Sequence, residues 1–109
     1  KKNPKHINKR LDDTEYVILH LNHLLQNMPQ PDKLAMQRRV NQLIMDYIFN
    51  IIRLTRSERQ LNKRLQRLEQ YSLFPLPQKN YTKKYYLFSL LSKYRVSRKI
   101  LNLVIKTIP

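Results

Sequence analysis

From Lys33 to Gln70 the chain contains neither glycine nor proline, and its apolar residues recur with a helical period throughout. This predicts one continuous helix, which at 1.5 Å per residue would reach about 55 Å, more than a domain of this size needs for its own core, so that part of it should project. Its two halves differ. Between Leu34 and Leu54 apolar side chains cover most of the circumference, with Met36, Val40, Leu43, Tyr47 and Ile51 on one side, Ile44, Ile48 and Ile52 beside them, and Phe49 further round. That half is expected to pack on the preceding helix, with Tyr47, Ile48, Phe49 and Ile52 left to meet a neighbouring protein. From Arg53 onward only a narrow stripe of Leu54, Leu61, Leu65 and Leu68 persists, while Arg53, Arg56, Arg59, Lys63, Arg64 and Arg67 gather on another face. A turn of 100° per residue places those six bases within an arc of about 140°. Only Glu58 offsets them, whereas a merely solvated face mixes both signs, and a row of cations on a rigid rod matches a phosphate backbone. A coiled-coil seam is the competing interpretation. A heptad begun at Met36 sets Val40, Tyr47, Leu54, Leu61 and Leu68 at d, but a decays to Asn50, Ser57 and Arg64, which would seal poorly.

Upstream, residues 1–11 are expected to form an extended basic arm, since Lys1, Lys2, Lys5, Lys9 and Arg10 occur there without an acid and without helical or strand period. Asp12 followed by Glu15 resembles a capping box, with Leu11 and Tyr16 as its hydrophobic staple. A first helix should then run over about 13–27 on Val17, Leu21, Leu24, Leu25 and Met28. The prolines of Met28-Pro29-Gln30-Pro31 end it, and Asp32 is placed to cap the long helix. Residues 12–70 would thus be a helical hairpin.

Residues 71–80 contain Phe74-Pro75-Leu76-Pro77, a stiff linker, and residues 81–109 a small basic unit. Beyond Glu69 there is no acidic residue, and the bases alternate with Tyr81, Tyr85, Tyr86, Phe88 and Tyr94. Interleaved bases and rings suit RNA or single strands, where cations meet phosphate and rings stack on exposed bases, although Tyr85, Phe88 and Tyr94 are also suited to a small core. Residues 87–107 have the outline of a helix-turn-helix: Leu90 and Leu91 on a first helix, a break near Tyr94-Arg95-Val96, Ser97 as N-cap, and Ile100, Leu101, Val104 and Ile105 facing inward. The predicted fold class is therefore all-α, a helical hairpin with one long projecting helix, a C-terminal helical pair and a basic N-terminal arm. Its predicted phosphate contacts are the six bases of the rod together with Lys83, Lys84, Lys93, Arg95, Arg98 and Lys99.

Twenty-two lysines and arginines stand against seven acids in 109 residues, a formal charge of +15 that points to a polyanionic partner. With no cysteine there is no thiolate metal site or thiol nucleophile, and with no glycine no phosphate cradle, nucleophile elbow or dinucleotide-binding turn of the usual form. His20 and His23 share a helix face but have no nearby third ligand, so no metal is expected. Capping accounts for Asp12, Asp13 and Glu15, and the remaining carboxylates are scattered, so neither catalysis, nor a cofactor, nor a small-molecule substrate is expected. The most apolar run, Leu43 to Leu54, is interrupted by Asp46, Asn50 and Arg53, and no integral membrane segment is predicted. The first residue is Lys1, which leaves open a targeting segment ahead of it.

Tyr81-Thr82-Lys83-Lys84, the aromatic-leucine helix after it, Lys93-Tyr94 and Ser97 two residues beyond Arg95 resemble a segment of a fungus-specific large-subunit protein of the mitochondrial ribosome, over roughly residues 79–105. The small residue and glycine of that pattern stand here as Leu91 and Arg95. The resemblance implies a mitochondrial location and a structural role, with basic residues clamping rRNA phosphates and apolar faces bridging neighbouring proteins. Two alternatives remain open: a helix-turn-helix DNA-binding regulator inserting residues 97–102 into the major groove, and a helical scaffold subunit of a protein complex. A chain so charged, with its core split between hairpin and C-terminal pair, is expected to be marginally stable alone.

Overall fold

The computed structural model describes residues 4–77, 79, 81–93 and 95–106, with the side chains at 95–97, 101 and 106 outside the description. The described residues are all-helical, in the order α1 (Pro4–Leu25), α2 (Asp32–Thr55), α3 (Glu58–Gln70), α4 (Lys83–Lys93) and α5 (Arg95–Lys106).

The predicted rod is two helices. Arg56 takes a left-handed conformation (φ 52°, ψ 32°) and its N–H still bonds the Ile52 carbonyl, which closes α2. The Thr55 hydroxyl donates to the Ile51 carbonyl (2.6 Å) and accepts from the Ser57 N–H (3.3 Å), so local side-chain bonds take over from the helical ladder. The Ser57 hydroxyl then accepts from the Gln60 N–H and starts α3. No projecting rod remains: the molecule measures 43 × 29 × 24 Å, shorter than the length of the uninterrupted helix. The break lets Leu61, Leu65 and Leu68 fold back into the core instead of trailing into solvent.

The other boundaries shift for equally local reasons. Helix α1 already includes Pro4, the first described residue, so residues 4–11 of the expected arm are helical rather than extended. Residues 1–3, including Lys1 and Lys2, lie outside the described residues. Asp12 and Glu15 are consequently inside α1 rather than at its cap; Leu11 is buried in the core and Tyr16 exposed, so no staple forms. Pro31 occupies the N-cap of α2 and Asp32 its first turn, where a carboxylate favours the positive end of the helix. Helix α3 ends in a Schellman-type turn: Ser72 (φ 59°) supplies the left-handed residue, the Leu73 N–H reaches the Leu68 carbonyl and the Ser72 N–H that of Glu69.

One core runs through all five helices. Leu11 and Ile18 of α1, Val40, Ile44, Tyr47, Ile48, Ile51 and Ile52 of α2, the α3 leucines, Tyr85 and Phe88 of α4, and Ile105 of α5 join a single cluster. The proline segment contributes Leu73, Phe74 and Leu76 to it, so it is packed rather than a spacer. The expected division of the core does not occur.

Candidate nucleic-acid interface

Helix α3 sorts the predicted row of cations into two groups, because the break after Thr55 turns its face relative to α2. Arg64 is inside, with its Nη1 donating to the Tyr47 hydroxyl (2.9 Å) and to Asp12 Oδ1 (3.0 Å). Arg67 donates to Glu15 Oε1 from both Nη2 (2.7 Å) and Nε (3.2 Å), and this hydrogen bond holds its guanidinium more firmly protonated than usual. The Tyr47 hydroxyl donates to the same Glu15 oxygen at 2.7 Å. Burial, then the Glu15 hydrogen bond, pushes that hydroxyl up from 10.0 to about 12. These groups form an ionic clasp across α1, α2 and α3. Arg64 and Arg67 are therefore assigned to internal structure rather than to phosphate: their charge is answered by carboxylates of α1, and Arg64 is out of reach of a ligand.

The remaining bases of the row face outward. Arg59 and Lys63 are exposed on α3 and Arg53 is half-buried at the end of α2, each without an ion-pair partner among the described residues. Arg56 is exposed at the break, where its backbone, rather than a position on a continuous face, defines its place.

In the C-terminal pair, Lys83, Lys84, Lys93 and Lys99 are exposed. Lys84 sits over the Phe49 ring, 5.6 Å from its centroid. Arg98 is drawn inward instead: its guanidinium lies over Phe74 (5.5 Å), donates to the Ser92 carbonyl (3.1 Å) and reaches Asn62 of α3 (3.1 Å). It is a tether for α5, and a phosphate contact would have to displace those partners. The side chains of Arg95, Ser97 and Leu101 and all of Tyr94 lie outside the described residues.

The predicted protein-facing residues are corrected in the same way. Tyr47, Ile48 and Ile52 are fully buried by the chain's own α1, α3 and C-terminal helices, and of the four only Phe49 is partly exposed. Exposed apolar side chains are scattered over α1, α2 and α4, at Tyr16, Val17, Leu24, Leu34 and Leu87, and adjoin one another on α5, where Ile100, Leu103 and Val104 are 54%, 67% and 56% exposed. Helical periodicity assigns Ile100 and Val104 to the interior. Ile105 faces inward as expected, but Asn102 joins it in place of Ile100 and Val104, because Arg98 is anchored on Phe74 one turn earlier.

Two features bear on groove reading. Arg95 and Val96, expected in the break of a helix-turn-helix, lie within α5. Asn102, within the segment expected to enter a major groove, is buried. Among the described residues no group of three or more His, Cys, Asp or Glu is placed to hold a metal, and no helix is long and apolar enough to cross a membrane.

Apolar periodicity does not mark Ser57 as a helix start, although Ser57-Glu58-Arg59-Gln60 has the capping-box spacing that could have done so. Nor does it pair Asp12 and Glu15 with Arg64 and Arg67; those contacts span more than fifty residues and have no local signature.

No family model, curated protein or solved structure matches the chain. The ribosomal resemblance accordingly rests on the residues that carry it.

Proposed function

We propose that the protein is a structural RNA-binding subunit of a ribonucleoprotein, of the kind found in an organellar, mitochondrial ribosome, and that it binds rather than catalyses. The observation that carries this reading is the balance of charge left after folding. Asp12, Asp13 and Glu15 are engaged by Arg64, Arg67 and Lys9, which leaves only Asp32, Asp46, Glu58 and Glu69 against all the remaining bases. Arg53, Arg59, Lys63, Lys83 and Lys99 are at or near the surface with no internal carboxylate, and a phosphate backbone is the partner that would neutralise them with release of its counterions. The inward-turned Arg98 and Asn102, and the placing of Arg95 and Val96 inside α5, favour RNA over major-groove reading of DNA. The outward face of Ile100, Leu103 and Val104 favours a neighbouring protein in the same assembly, since phosphates do not cover aliphatic surface.

Binding of a structured RNA measured against salt tests the reading. The double substitution Arg59→Gln/Lys63→Gln should lower the slope of log affinity against log salt by about 0.7 to 0.9 for each phosphate that is no longer neutralised. Arg64→Gln should weaken the fold and leave the slope of the folded fraction unchanged. Equal affinity of wild type and double variant at every salt concentration, or a strong preference for one duplex DNA sequence, would remove the proposal.

A further inference from the structure

Helices α2 and α4 enclose a cleft of about 270 Å³ lined by Met45, Asp46, Phe49, Asn50, Lys84 and Phe88. Asp46, Phe49 and Asn50 follow at helical spacing along one edge of α2, so a carboxylate, a ring and an amide converge on one small space. Asp46 is exposed at the mouth of the cleft and has no ion pair or hydrogen bond among the described residues, so its carboxylate is open to a ligand. The cleft thus combines a flat apolar floor, an acceptor and a cation.

A ligand that suits all three has a planar body, a donor edge and an anionic end. An arginine or amine would meet Lys84 as a like charge. An aliphatic chain would leave both Asp46 and Lys84 without a partner in the cleft. A nucleotide satisfies every group, and the bases differ at the carboxylate, which can only accept. Guanine presents two adjacent donors, N1–H and the N2 amino group. Adenine and cytosine set a ring acceptor beside their amino group, and uracil flanks its N3–H with two carbonyls, so each opposes a carboxylate with lone pairs. We propose that this cleft takes the guanine base of a nucleotide, stacked on Phe49 in place of the Lys84 ammonium that lies over the ring, with its N1–H and N2 edge on Asp46 and its phosphate drawing the displaced Lys84 aside. Proposed as an RNA residue, the occupant rests on the RNA-binding reading above; as a free nucleotide it does not.

Fluorescence anisotropy of the full chain with labelled octauridylate, and with the same oligomer carrying one central G, A or inosine, tests this. Guanine should bind about tenfold tighter than adenine or the all-uridine strand, and inosine, which lacks the N2 amino group, should lose much of that gain. Asp46→Asn should abolish the guanine preference while retaining affinity for octauridylate, and Phe49→Leu should reduce it with the fold preserved by circular dichroism. In parallel, guanosine monophosphate alone is added while the Phe49 and Phe88 ring signals are followed by NMR. Shifts with the free nucleotide identify it as sufficient; a preference seen only in the oligomers assigns the base to an RNA chain. Binding of every oligomer alike, with unmoved ring signals, overturns the cleft and leaves the RNA reading standing. Ring shifts with the nucleotide but no oligomer binding leave the cleft and remove the RNA reading. A guanine preference unchanged in Asp46→Asn overturns the assignment of the carboxylate.

Discussion

Tyr47 shows how one hydroxyl can join three helices. It donates to Glu15 on α1 and accepts from Arg64 on α3 while its ring lies fully buried in α2. Buried charge of this kind adds little net stability over a well-packed apolar substitute, because desolvation offsets most of the attraction; its effect is to fix which faces meet. The hydroxyl, pushed up from 10.0 to about 12, keeps in the folded state a proton that the unfolded chain releases earlier. The stability it contributes is complete below pH 10 and is lost as pH rises from 10 towards 12. Tyr85, raised chiefly by burial and then by Tyr81, acts in the same direction. Tyr47→Phe should cost about 1–2 kcal/mol at neutral pH, and its thermal midpoint should fall less steeply than that of wild type above pH 10. Melts of both proteins across that range provide the check, and parallel curves would contradict it.

The joint between α2 and α3 decides the architecture at the scale of elements, and it is governed by Thr55, Arg56 and Ser57. Helix content, the packing faces of α2 and the α3 leucine stripe were legible in the sequence, because periodicity of apolar residues reports burial directly. The break was not, since neither glycine nor proline marks it and Arg56 occupies the left-handed position that glycine would usually take. Nor was the fate of the α3 cations: a helical wheel places Arg59, Lys63, Arg64 and Arg67 on a common face, and only the turned-back α3 separates the two that meet α1 from the two that meet solvent. Likewise the apolar half of α2 was visible, but not that α1, α3 and the C-terminal helices supply most of its cover. Ser57→Ala should remove the cap bond to the Gln60 N–H and cost about 1 kcal/mol, while Ser57→Asp should retain it. Urea unfolding, with a changed midpoint and unchanged slope, measures the difference.

At the scale of the whole molecule the charge of +15 opposes a core that is continuous from α1 to α5. Self-repulsion among exposed bases is screened by salt, whereas apolar burial and the partly buried clasp are much less affected. The protein should therefore unfold in one cooperative step whose midpoint rises between low and moderate salt and rises further with a polyanion. Calorimetry across a salt series tests this; two separate transitions, or a midpoint that falls with salt, would oppose it. The clasp also has a topological consequence. Helix α1 is held by Leu11 and Ile18 and by two ion-paired carboxylates, all of them at a distance from the loop at residues 26–31 that joins it to α2. Chain continuity there supplies proximity rather than attachment. A backbone cut within that loop would leave a nicked protein whose first helix stays docked as a separate peptide, so the fold lends itself to assembly from two fragments.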